Sequence, residues 1–144
     1  MGTISKNFSY REFEASETAD LHNICNVITE FNVRDAVRAL VLEILQPLRD
    51  SLGEPIYINS GFRCRELNAL VGGTEDSQHR KGEAADIRTM GDDPLRLARQ
   101  IINLKLPFDQ LILYPTFVHV SHRLNGNQRG RILYNYRWRG EKPW

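Results

Sequence analysis

The chain has 144 residues, of which 41% are hydrophobic and 26% charged, and its formal net charge is +1. A chain of this length forms one domain whose single core needs no disulfide. The nearly balanced charge argues against a general nucleic-acid binder, and no stretch approaches the roughly 20 apolar residues of a membrane span. We therefore expect one soluble domain over residues 1–144 that acts as a monomer.

The N-terminal segment, MGTISKNFSYREFEAS, lacks the apolar core of a secretory signal peptide. We therefore expect synthesis in the cytoplasm. Hydrophobic periodicity then predicts a core helix in NVRDAVRALVLEILQPLRDSLG, where apolar residues recur at spacings of three and four. Pro47 should kink this helix or begin a new turn, because proline has no amide hydrogen to donate.

Strand and helix patterns alternate along the rest of the chain. PIYINS predicts a strand, RELNALVGG a short helix and AADIR a buried strand. Asp93 followed by Pro94 predicts the start of a helix through LRLARQIINL. Three further strand patterns, consistent with a hairpin or meander, are FDQLILY, TFVHVSH and RILYNYRW. The order predicts an α+β fold with a mainly antiparallel sheet flanked by helices.

Two histidines and one aspartate form a candidate metal site. His79 precedes Asp86 by seven residues, and His119 alternates with valines in FVHVS. A strand that buries those valines turns His119 to its opposite face. Two imidazoles and a carboxylate are the ligands of a catalytic zinc that keeps one position for water. The spacing alone favours ordinary hydrogen bonding in the core or at the surface for these three residues.

Longer motifs follow the order of a known family. INSGFRCRELNALVGGTEDSQHRKGEAADI, followed by FDQLILYPTFVHVSH, resembles the zinc D-alanyl-D-alanine carboxypeptidase family, whose relatives include phage endolysin peptidases and the hedgehog signalling domain. The resemblance spans about residues 7–122. It implies a zinc ion held by His79, Asp86 and His119, with Gly82 letting the chain fold back so that two ligands share the ion.

The resemblance also implies a reaction and a substrate. A metal-bound water would hydrolyse a peptidoglycan stem peptide, as in a D-Ala-D-Ala carboxypeptidase or an endolysin-like endopeptidase. Arg63 and Ser77 would bind the substrate, since a planar guanidinium can hold a terminal carboxylate by two parallel bonds. The alternatives are a surface ion pair for Arg63 and an ordinary loop role for Ser77. Asp109 could orient a ligand histidine and so assist catalysis, or could be a turn residue.

The general base of this family has no counterpart here. Many relatives carry an acidic residue three positions before the last zinc histidine, where this chain has Thr116, and others carry a glutamate after DQLI, where this chain has Tyr114. Losing a general base costs roughly two to four orders of magnitude in rate, because metal polarisation remains. Thr116→Glu would then restore a base. The remaining candidates for this role are Asp109, Glu83 and His122.

Two other classes of function stay open. The first is a binding module that keeps zinc and peptide recognition without turnover. The second is an unrelated structural protein whose histidines are incidental. Since a signal peptide is missing, a phage or prophage origin with release to the cell wall on lysis would explain how a peptidase reaches its substrate.

The C-terminal segment lies beyond the resemblance. Between Ser121 and Trp144, six arginines and lysines against one glutamate give a local net charge of +5. Alternating aromatic residues in RILYNYRWR place one aromatic face on the predicted strand. The segment fits an edge strand protected by its charges, or a groove wall that meets an anionic polymer such as cell-wall glycan peptides or nucleic acid.

Overall fold

The computed structural model describes residues 2–144, in which helices pack on a five-stranded sheet. The strands are β1 (Thr3–Ser5), β2 (Phe8–Ser9), β3 (Tyr57–Ser60), β4 (Ala84–Arg88), β5 (Gln110–Leu113), β6 (Val118–Ser121) and β7 (Arg131–Tyr134). The helices are α1 (Tyr10–Glu14), α2 (Glu17–Leu21), α3 (Phe31–Leu40), α4 (Gln46–Leu52), α5 (Arg65–Leu70) and α6 (Pro94–Asn103). None of the helices in this part of the chain has the length and apolar character of a membrane span.

The five-stranded sheet has the order β3-β4-β6-β5-β7. Its neighbouring strands are antiparallel except β5 and β7, which run parallel with Gln110 opposite Arg131. The predicted α+β fold with a mainly antiparallel sheet is therefore confirmed. The predicted hairpin or meander is wrong for β7, because residues 122–130 carry the chain past β5 to its outer edge.

The helical segment before β3 supplies much of the core. Apolar residues at helical spacing, among them Val37, Leu40 and Ile44, are fully buried. A π-helical turn over Val41–Leu45 separates α3 from α4, and Pro47 lies in the first turn of α4. The backbone stays helical from α3 through the π-helical turn into α4, so Pro47 lies within one continuous helix, and the wider turn just before it accommodates a residue that has no amide hydrogen to donate.

The sheet and one loop bring the candidate ligands together. In the pairing of β4 with β6, Asp86 lies directly opposite His119. His79 approaches from the loop before β4, which turns back at Gly82. Gly82 has φ 74°, and a Cβ atom there would lie 2.6 Å from the Val33 carbonyl oxygen. Only glycine fits this turn without strain, because it tolerates positive φ and presents no side chain to α3.

Candidate metal centre

His79, Asp86 and His119 form a compact cluster of possible ligands. Each residue offers one ligand atom, and these atoms all lie within 4.8 Å of one another. Asp86 Oδ1 lies 3.4 Å from His79 Nε2 and 2.9 Å from His119 Nδ1. The two imidazole rings meet edge to face with their centroids 5.1 Å apart. The structure therefore brings together the three residues that the sequence pattern points to.

The His79 ring is oriented by the backbone so that Nε2 faces the cluster. Nδ1 lies 2.7 Å from the carbonyl oxygen of Gly61, and a carbonyl can only accept, so Nδ1 carries the hydrogen and donates it. In the neutral ring, the lone pair of Nε2 then faces the Asp86 carboxylate. The Nε2 lone pair and the carboxylate oxygen both carry negative potential and neither supplies a hydrogen, so a cation between them is favourable. With two imidazoles and one carboxylate as donors, the cluster fits Zn²⁺.

The Asp86 carboxylate stays ionised although it is largely buried. Burial by itself raises the pKa of a carboxyl group, but the hydrogen bond from His119 and, when the second ring is protonated, the hydrogen bond and charge of His79 outweigh it and hold the pKa of Asp86 well below its usual range. Metal ligands must be deprotonated to bind, so the cluster presents Asp86 in its ligating form.

A cavity of about 530 Å³ opens over the cluster, and Arg63 lines it. Burial lowers the pKa of the Arg63 guanidinium, while the negative charge of Asp86 acts to raise it. Arg63 Nη1 donates to Asn68 Oδ1 at 3.1 Å, and the Arg63 backbone N–H donates to the His79 carbonyl. The guanidinium is therefore oriented beside the cluster, where it can meet an anionic group.

Ser77 also lines the cavity, in the turn just before His79. Its Oγ accepts a hydrogen bond from the His79 backbone N–H at 3.2 Å. The hydroxyl hydrogen remains available to a substrate, because a serine can accept and donate at once. The geometry is compatible with both the substrate role and the loop role that the sequence left open.

Asp109 does not contact either histidine of the cluster, which corrects the predicted bond to a ligand histidine. Its Oδ2 accepts from Arg129 Nη2 at 2.7 Å and from Gln78 Nε2 at 3.2 Å, and its Oδ1 accepts from Arg129 N and Nε at 3.0 Å. The hydrogen bond from Arg129 is the main cause that lowers the pKa of Asp109 to about 2. The parallel pairing of β7 with β5 brings Arg129 to this carboxylate.

Gln78 and Arg129 are the residues of this site that sequence reasoning missed. Gln78 Nε2 also donates to Glu83 Oε1 at 3.3 Å, so its amide bridges two carboxylates beside His79. The Asp109–Arg129 pair joins residues 20 positions apart, and no local pattern signals it. Only the position of Gln78 next to a candidate ligand could have drawn attention to it.

The two positions of the missing base differ in their access to the cavity. Tyr114 lines the cavity, whereas Thr116 is exposed and lines a second cleft. Burial, with a further contribution from the charge of Asp86, raises the pKa of the Tyr114 phenol, so the phenol remains protonated at neutral pH. Thr116 does not line the cavity over the cluster, so its position argues against the expectation that Thr116→Glu would place a carboxylate beside the metal.

The other base candidates are also constrained. Glu83 lines the cavity, but its Oε1 accepts from Gln78 and its Oε2 from the Leu124 backbone N–H. His122 is half-buried and does not line the cavity, and burial is the main cause that lowers its pKa. A carboxylate outside those candidates, that of Asp76, lines the cavity from an exposed position. Among the described residues, none of these carboxylates belongs to the compact cluster around Asp86.

Comparisons with known proteins agree with this geometry. A family model described as peptidase M15 matches residues 6–121. A zinc D-Ala-D-Ala carboxypeptidase of Streptomyces albus G is 46% identical to this chain over 44 residues, which are 30% of this chain and 17% of that protein. The match to the family model includes all three residues of the cluster and ends before β7. The carboxypeptidase is matched over only a small part of its own length.

Proposed function

The chain belongs to the peptidase M15 family, and on that premise we propose that it is a zinc-dependent peptidase of peptidoglycan stem peptides. The observation that carries this proposal is the cluster of His79, Asp86 and His119 at the base of an open cavity. The named activity of the Streptomyces albus G relative, a zinc D-Ala-D-Ala carboxypeptidase, supports both the metal and the class of substrate.

The three residues of the cluster would hold the zinc ion. When bound, zinc supplies a Lewis acid that polarises a peptide carbonyl and lowers the pKa of a coordinated water. Asp86 contributes a negative charge that partly neutralises the ion. The hydrogen bond from His79 Nδ1 to Gly61 keeps the ring in the tautomer that ligates through Nε2.

Arg63 would bind the carboxylate end of the peptide. Its guanidinium lines the cavity beside Asp86 and is held by Asn68, so it need not be ordered when a substrate arrives. The planar fork can make two parallel hydrogen bonds to one carboxylate. Ser77 would donate its hydroxyl hydrogen to the same end of the substrate. These contacts would place the last peptide bond close to the cluster.

A second candidate function is a zinc- and peptide-binding module without turnover. The protonated Tyr114 phenol lines the cavity and can donate a hydrogen bond, yet it is a poor proton acceptor at neutral pH. Glu83 is already engaged by two N–H donors. We therefore expect slow hydrolysis, and an absence of turnover with full zinc binding would favour the binding module.

Metal analysis combined with a digestion assay tests these proposals. Purified protein should bind about one equivalent of zinc, and His119→Ala should lose it, whereas His22→Ala should keep it because His22 lies outside the cluster. Mass spectrometry of digested peptidoglycan should show release of a terminal D-alanine or cleavage within the stem peptide. Absence of zinc from wild type and from His22→Ala would contradict the proposed metallopeptidase.

A further inference from the structure

A second cleft adjoins the cavity over the metal cluster. This cleft, called here the C-terminal cleft, has a volume of about 480 Å³ and is lined by Tyr114–Phe117 and Asn135–Arg137. Tyr114 lines both spaces, so they share one wall. One side of the cleft, residues 135–137, lies beyond the part of the chain that matches the family model. The cleft is therefore a feature of this chain that family membership does not assign.

Hydrogen bonds and ring stacking hold the two sides of the C-terminal cleft in place. The Tyr114 N–H donates to the Phe117 carbonyl at 3.0 Å, and the two rings stack with centroids 4.3 Å apart. On the other side, the Asn135 N–H donates to the Leu113 carbonyl at 2.9 Å, and Asn135 Oδ1 accepts from the Arg137 N–H. These contacts tie both sides to the end of β5, so a ligand would meet a preformed surface.

The side chains of the C-terminal cleft suit a partly apolar, acidic ligand. Tyr136 is 76% exposed, and the Arg137 guanidinium lies 5.3 Å from the centre of its ring. Arg137 is the charged residue of the lining, which contains no carboxylate. Aromatic faces bind the backbone and apolar atoms of a peptide, while the arginine favours a negative charge. Arg139 Nη1 donates to the Tyr136 carbonyl at 2.8 Å, and its charge adds to the positive field.

We propose that the C-terminal cleft is a substrate subsite that binds an acidic residue of the peptide, a proposal that rests on the proposed peptidase function. Because Tyr114 lines both spaces, an extended peptide bound at the metal cluster can continue past the Tyr114 side chain into the C-terminal cleft. The subsite selects peptides that carry a carboxylate upstream of the scissile bond, and it binds longer peptides better than short ones.

Binding to metal-free protein tests the subsite without interference from turnover. Three probes are compared by calorimetry after chelator treatment: acetyl-Glu-Glu-Ala-D-Ala-D-Ala, its Gln-Gln counterpart, and acetyl-D-Ala-D-Ala. Tyr136→Ala should weaken the Glu peptide about tenfold, and Arg137→Gln about two- to fivefold. Arg137→Gln should leave the Gln peptide within about twofold, and neither variant should affect the short probe.

Two variants serve as matched controls. Tyr57 on β3 also has an arginine over its ring, Arg88 at 4.9 Å, but lies at the opposite edge of the sheet, so Tyr57→Ala should bind all probes like wild type. Arg131→Gln removes a charge from the exposed start of β7, in the same C-terminal segment but outside the lining of the cleft. Its effect on the Glu peptide should be smaller than that of Arg137→Gln.

Several results would overturn the subsite. Equal binding of the Glu and Gln peptides to wild type, or equal weakening of short and long probes by Tyr136→Ala, would remove its basis. An N-acetylglucosamine trimer that binds in a Tyr136-dependent manner, while the peptides do not, would assign the cleft to a glycan. Zinc-dependent hydrolysis is measured separately. Hydrolysis without a Glu preference leaves the peptidase and refutes the subsite. An Arg137-dependent Glu preference without hydrolysis keeps the subsite and refutes the peptidase.

Discussion

The buried carboxylate of Asp109 accepts hydrogen bonds both from the loop that carries His79 and from the C-terminal segment. Asp109→Asn should weaken these hydrogen bonds. Asp109 accepts three hydrogen bonds from Arg129 and one from Gln78, which precedes His79. Asparagine has nearly the same size but only one acceptor oxygen, and its amide group would face N–H donors. We therefore expect a less stable protein in which His79 is less well positioned.

The contacts of Asp109 allow the loss in free energy of unfolding to be calculated approximately. The lowering of the Asp109 pKa from 3.8 to about 2 corresponds to about 2 kcal/mol before solvent screening. The partner Arg129 is 44% exposed, so screening reduces the contribution of the pair to about 1 kcal/mol. An unsatisfied amide donor in the buried position adds about 1 kcal/mol or more. We expect Asp109→Asn to lower the free energy of unfolding by about 2 kcal/mol at pH 7.

The same ion pair implies a pH dependence of stability. The pKa of Asp109 is lower in the folded than in the unfolded protein, so its stabilisation is complete above about pH 4 and is lost as the pH falls through about 2. The difference in unfolding free energy between wild type and Asp109→Asn should therefore shrink between about pH 4 and pH 2.

Urea unfolding followed by circular dichroism measures this prediction. Glu141→Gln is the matched control, because Glu141 pairs with Arg99 at 3.0 Å but is 80% exposed, and its loss should cost less than about 0.5 kcal/mol. Competition with a zinc chelator gives a second measurement, in which Asp109→Asn should bind zinc about tenfold more weakly. If Asp109→Asn unfolds at the same urea concentration as Glu141→Gln, the reasoning from burial and hydrogen bonding is refuted.

Two further predictions concern the cavity. Arg63→Lys should weaken binding of a peptide with a free C-terminal carboxylate about tenfold, because an ammonium cannot make the planar two-bond contact. The urea midpoint of unfolding should not change. A lower midpoint with unchanged peptide affinity would make Arg63 a structural residue. Tyr114→Glu should raise hydrolysis of a D-Ala-terminated peptide about tenfold or more, whereas Thr116→Glu should not, since only residue 114 lines the cavity. Equal gains in both variants would contradict this assignment.

Much of the fold could be predicted because its signals are local. The helical spacing of apolar residues identified the core segment that contains Pro47, and alternation in FVHVS placed His119 on the face opposite the buried valines. Both patterns follow from backbone periods that a few neighbouring residues reveal. The candidate cluster was reached from the motif order, and the register of β4 with β6 agrees with it.

Other features depend on contacts between distant parts of the chain. The pairing of β7 with β5 determines that Arg129 meets Asp109, and the path of the turn after β5 determines that Tyr114, and not Thr116, lines the cavity. Local periodicity is thus sufficient to identify the core helix and the strand face that carries His119. The partners of Asp109 and the lining of the cavity depend on strand order and on contacts between distant segments, and no local period encodes that packing.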